Sequence, residues 1–129
     1  MSHPNLLAEW IQKAETDYKS ALDLADRRKD PTPDSVCNHS QQCVEKYLKA
    51  FLVRHDAEFP RTHILRELNR LCVEIDGSFL LIGDLLERIE PYGSEVRYPG
   101  RFTDVKDARE AVATMKAIRK FIRPKLGLK

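Results

Sequence analysis

The sequence predicts an all-α protein: an up-and-down bundle of about five helices in a single domain over residues 1–129. Three observations predict it. Apolar residues recur at intervals of three and four along almost the whole chain. No segment sustains the alternation of a half-buried strand, and no internal repeat is visible. Helix-ending residues fall between the apolar stripes, so the connections are short and favour antiparallel neighbours.

Each helix can be justified in turn. In helix one, Leu7, Trp10, Ile11, Ala14, Tyr18, Ala21, Leu22 and Ala25 form one stripe. Pro4 suits the first turn, and the run from Lys29 to Pro33 breaks the helix. In helix two, Thr32 can cap and Pro33 fits the first helical position. Val36, Cys37, Ser40, Cys43, Val44, Tyr47, Leu48, Phe51 and Leu52 then make the broadest apolar face in the chain. It ends near His55-Asp56, where an aspartate tolerates left-handed backbone. Helix three starts at Thr62 or His63, runs on Leu65, Leu68, Leu71, Cys72 and Ile75, and stops at Gly77. Helix four covers Phe79 to Ile89 and ends at Pro91-Tyr92-Gly93. Helix five is capped by Thr103, carries Asp104 and Asp107 in its first turn, and turns Val105, Ala108, Val112, Met115, Ile118 and Ile122 to the core. Pro124 and Gly127 end it.

A chain that is 42% hydrophobic and 33% charged can fill one core and solvate one surface. The net charge of +2 gives no global field for nucleic acid or membrane. The charge is uneven, however. From Arg101 onward nine lysines and arginines face three acids, whereas residues 1–100 carry thirteen against seventeen. The basic segment reads either as an anion-facing surface or as ordinary helix C-terminal cations. Cys37, Cys43 and Cys72 have no close pairing and read as reduced, mostly buried thiols of a cytoplasmic protein. No apolar run reaches the roughly 18 residues of a membrane span, and no signal peptide is expected. Trp10, Tyr18, Tyr47 and Phe51 are many aromatics for one seam; they either fill the bundle or face a second subunit.

Gln41-Gln42-Cys43-Val44-Glu45-Lys46-Tyr47-Leu48-Lys49-Ala50 resembles a signature of the HEPN family, helical modules named for nucleotide binding in higher eukaryotes and prokaryotes. In the same order, Thr62-His63-x-Leu65-x-x-Leu68 resembles the start of that family's third helix. Arg97-Tyr98-Pro99 resembles the segment before its last helix. Ile64 departs from the family's usual aspartate, and His55-Asp56 stands where a glycine is common. The resemblance implies a homodimer, a minimal nucleotidyltransferase as partner in a toxin–antitoxin-type pair, and a nucleotide or RNA as ligand, with no membrane and no cofactor. It also implies Lys46, Lys49, His63 and Arg97 as residues that line or support a ligand cleft. Many members are metal-independent ribonucleases with an Arg-x4–6-His pair. No arginine here is followed by a histidine at that spacing, so the usual pair is absent.

The residues themselves leave two readings at each position. Lys46 and Lys49 are either a solvated cationic edge for phosphate or an edge with a plain Glu45–Lys49 pair. Neutralising both should then weaken an anionic ligand and spare stability. One of Gln41 and Gln42 can bond across the bundle. His63 either fixes the start of its helix or, with Arg97, replaces the missing ribonuclease pair. Arg97 either locks its loop onto Glu45 or holds a phosphate. His39 and Cys43 share a ligand spacing, but two ligands do not make a metal site, and none is expected.

Overall fold

The computed structural model describes residues 4–93 and 98–129. They form five α-helices: α1 (Pro4–Ala25), α2 (Pro33–Arg54), α3 (Leu65–Ile75), α4 (Gly83–Ile89) and α5 (Val105–Lys125). No strand occurs among the described residues. The α2 helix touches each of the other four, with its most extensive packing against α1 and α5.

This central position explains why α2 is buried nearly all round. All nine residues of its expected apolar face are buried, together with Gln41, Glu45 and Lys49. Tyr47 and Phe51 fill the core rather than a surface seam. Phe51 packs against Phe79 with ring centroids 4.4 Å apart and planes tilted by 47°, and Phe121 meets Phe79 edge-on at 5.2 Å. Trp10 packs edge-on against Phe59, and Tyr18 lies beneath the Arg119 guanidinium at 4.0 Å. All four aromatics whose number pointed to a subunit contact thus have partners inside the chain.

Five local expectations are corrected. The fourth helix begins as a 3-10 segment over Gly77–Ile82 and becomes α-helical only at Gly83. Asp76 causes this: it accepts the Ser78 amide and hydroxyl and restarts the chain directly after α3. The cap of α5 is Asp104, which exchanges hydrogen bonds with Asp107 in a capping box. Thr103 instead donates its amide and hydroxyl to Asp34. Thr32 does precede α2, but its hydroxyl makes no cap. Val105 is 44% exposed, and Pro124 lies inside the last turn of α5. The left-handed backbone expected near Asp56 is present, with φ 53°. The three cysteines are free and buried, and burial pushes the Cys37 thiol up to about 11 and that of Cys72 to about 12.

Candidate functional site

The site is assembled where α2 meets the start of α3. Gln41, Glu45 and Lys49 recur every four residues, so they share one ridge of α2. That ridge lies under the chain leading into α3. Gln41 donates Nε2 to the His63 carbonyl at 3.4 Å. Gln42 donates to the Gln41 amide oxygen at 3.3 Å, which holds that amide in register. Asn38, one turn earlier, donates to the carbonyls of Tyr92 and Gly93. At Gly93 a Cβ would fall 2.8 Å from the Gln41 amide, so a larger residue would have to displace that amide from the His63 carbonyl.

Glu45 is the centre. Its side chain is 3% exposed, and Oε2 accepts from Lys49 Nζ and from His63 Nδ1, both at 3.0 Å. Its other oxygen is buried and has no partner among the described residues. A carboxylate only accepts, so Nδ1 of His63 donates to it, and Nε2 is the ring nitrogen left for another partner. The His63 side chain is 79% exposed, which presents Nε2 to solvent. The arrangement therefore holds a surface imidazole in one tautomer and one orientation from a buried anchor. Glu90 secures the next residues by accepting the amides of Leu65 and Arg66, the first amides of α3, which have no partner within the helix.

The lysines stand elsewhere than expected. Lys49 is 7% exposed, paired with Glu45 and 5.4 Å from the centroid of Trp10. Lys46 pairs with Asp17 of α1, and the same carboxylate accepts His39 Nδ1 at 2.8 Å. The expectation of a wet lysine edge is corrected: α1 packs along that edge, its Asp17 takes Lys46, and Glu45 of α2 itself takes Lys49. Of the four residues picked from the sequence, the structure joins Lys49 and His63 through Glu45 and sends Lys46 to α1. Arg97 lies outside the described residues. Glu45, Gln41 and Glu90 complete the junction. The spacing of four in Gln41, Glu45 and Lys49 was the signal for the first two: a polar ridge on the most strongly apolar helix.

A second carboxylate cluster joins α1, α2 and α5. Glu15 accepts two hydrogen bonds from Arg119, at 2.8 and 2.6 Å, and one from the Tyr47 hydroxyl. Arg123 reaches both Tyr47 and Glu15. The Arg119 hydrogen bond holds the Glu15 carboxyl below its ordinary range, against the upward push of burial. Lys125 binds Asp76 and Ser78, which draws the Asp76 carboxyl down to about 2. Much of the basic surplus of α5 thus has internal partners. His39 is engaged by Asp17 and Cys43 is sealed in the core; no group of three metal-ligating side chains occurs among the described residues. No described helix is long and apolar enough to cross a membrane.

The order of motifs that resembled one family agrees with this architecture: the signature lies on the central helix, and the Thr-His segment sits directly over its glutamate. Among curated proteins and among solved structures nothing matches the chain. The family model described as HEPN domain matches residues 7–125, from the first apolar residue of the α1 stripe to the last residue of α5. By that match over nearly its whole length, the chain belongs to the HEPN family.

Proposed function

We propose that this HEPN domain is a nucleotide- or RNA-binding helical module that works as a homodimer beside a minimal nucleotidyltransferase, in a toxin–antitoxin-type pair. Its ligand meets the protein at the junction of α2 and α3. The observation that carries the ligand half is His63. A surface histidine needs no buried carboxylate, and burying one costs several kcal/mol unless it is well bonded. Here a sealed glutamate fixes an exposed ring and leaves its Nε2 to a partner outside the chain. Lys49 supports this site by holding Glu45 and does not touch the ligand. Lys46 supports it by fixing α1 against α2. Arg97 enters the reading from the sequence, as the phosphate-binding cation. The enzyme partner and the homodimer rest on the family resemblance.

The test has two arms. Affinity capture of the full chain from its native host, read by mass spectrometry, should recover a nucleotidyltransferase and a bound nucleotide or RNA. Titration of the purified chain with a short single-stranded RNA should show binding that His63→Ala weakens about tenfold or more, with the unfolding midpoint nearly unchanged. Capture without a nucleotidyltransferase removes the partner half; equal RNA affinity of the two proteins removes the site.

The same dyad supports a second reading, a metal-independent ribonuclease. Nε2 of His63 would accept the proton of an RNA 2′-hydroxyl as it attacks the adjacent phosphate and the 5′-oxygen leaves. Cleavage in the presence of a chelator, abolished by His63→Ala, would establish it; RNA bound and recovered intact excludes it.

A further inference from the structure

Two exposed features of the chain are left unused by its own packing, and they complement each other. The first is an open groove of about 670 Å³ where the start of α1 meets the loop after α2. Trp10, Val53 and Phe59 give it an apolar lining, with Leu6, 40% exposed, beside them. Asp56 and Glu58 are the charged residues that line it. Both are exposed, and neither joins an ion pair among the described residues. The neighbouring cations are engaged elsewhere: Lys49, near Trp10, is held by Glu45, and Arg54 donates to the Leu126 carbonyl. The groove is therefore apolar and negative. The second feature is the segment before α5. Arg101 donates its amide to the Tyr98 carbonyl and closes a turn in which Gly100 takes the left-handed region, with φ 88°. Thr103 is tied to Asp34. Between these two fixed points Phe102 is 82% exposed, the most exposed of the large apolar side chains described. Arg101 beside it is exposed and joins no ion pair among the described residues. The acids that follow, Asp104 and Asp107, bond each other's amides in the α5 capping box.

We infer that the groove receives the Arg101-Phe102 tip of a second copy of this chain: the Phe102 ring enters against Trp10 and Phe59, and the Arg101 guanidinium meets Asp56 and Glu58. The inference rests on the homodimer of the proposed function and supplies its interface. Charge selects the occupant. Leu80 and Leu81 are also exposed, but the charged residue nearest them in sequence is Asp84, which a negative groove repels. Phe102 carries a cation at its side. Within one copy the contact cannot form. Thr103 is bonded to Asp34 in the first turn of α2, and Val53 stands in the last, about 28 Å further along the axis at 1.5 Å per residue. Two copies set antiparallel make the contact at both ends and close a two-fold pair. The doubling matters, because one aromatic covers only about 150–250 Å², whereas a stable interface takes about 1,000 Å² or more. The helix flanks between the two contacts supply the rest.

The experiment is sedimentation equilibrium of the full chain at low salt, with tryptophan emission followed on dilution. Trp10 is the single tryptophan of the chain, so its emission reports the groove. The natural sequence should be a dimer whose dissociation moves that emission to the red. Phe102→Ala should weaken the dimer about thirtyfold, as for an aromatic anchor in a pocket. Arg101→Glu and Glu58→Arg should each weaken it about tenfold, and the two together should restore it. All three positions are exposed, so the variants should keep the fold. Asp56 is left in place because its backbone is left-handed. A dimer indifferent to Phe102→Ala, or a charge exchange that restores nothing, overturns this interface and leaves the homodimer standing. A monomer at every concentration overturns both.

Discussion

Two carboxylates of this chain have nearly the same task and different surroundings. Glu15 binds a forked arginine, a second arginine and a tyrosine hydroxyl, all contributed by α2 and α5. Each donor is at most about a quarter exposed, and the cluster is closed. Glu45 is more deeply buried, yet one of its donors belongs to its own helix, the other is an exposed histidine, and one oxygen has no partner among the described residues. A carboxylate that only ties helices together is best served by the first arrangement. The second is less complete as a tie and better suited to presenting a ring. The difference separates a fastening from a site without reference to any ligand.

Substitutions test that separation. The scale is set by the core: Phe51→Ala should cost about 3–5 kcal/mol in denaturant unfolding, as expected for a sealed aromatic. A near-neutral result would mean that α2 is turned the wrong way. Glu15→Ala should follow at roughly 2–3 kcal/mol, because it strips the partner from two arginines and a buried phenol. Lys49→Ala should lose about 1–3 kcal/mol by leaving Glu45 short of a donor. This reverses the expectation for a solvated lysine edge, and an unchanged midpoint would restore it. His63→Ala should be the mildest to the fold, below about 1 kcal/mol, and the most harmful to ligand binding. A His63 variant that unfolds like the Glu15 variant would make the two clusters alike and end the distinction.

Acid sharpens the same contrast. The folded Glu15 carboxyl titrates below its ordinary value of 4.5 because Arg119 donates to it. A group depressed on folding contributes stability that is fully present above the unfolded value and is lost as pH falls through the folded one. Stability of the natural sequence should therefore decline from about pH 4.5 downward, and Glu15→Gln should flatten part of that decline while lowering the plateau at neutral pH. An identical slope in both proteins would show that the Glu15 cluster is not what acid breaks.

Much of the fold was legible because it is local. Stripes at three and four, Pro and Gly punctuation and the three ordered motifs located every helix and the family. The Glu45–Lys49 pair followed from its spacing of four. The misplacing of the lysines has one source: amphipathic reading gives a helix one fully wet side, and on α2 almost none is left. Lys49 therefore looked solvated. The pairs that build the clusters could not be read, because Glu15 and Arg119 lie 104 positions apart and nothing in either stripe specifies the other. The replacement of Thr103 by Asp104 as the α5 cap was likewise hidden, since it depends on Asp34, 69 residues earlier.

The enclosure of α2 has a kinetic corollary. Its amides can reach deuterium only when the whole bundle opens, so they should exchange at the rate of global unfolding. The short 3-10 segment and α4 have few such restraints and should exchange through small local openings. His63 is anchored through Glu45 to the helix expected to exchange slowest. Exchange measured residue by residue should therefore run slowest along the helix that carries Glu45 and faster on the short helical segments packed outside it.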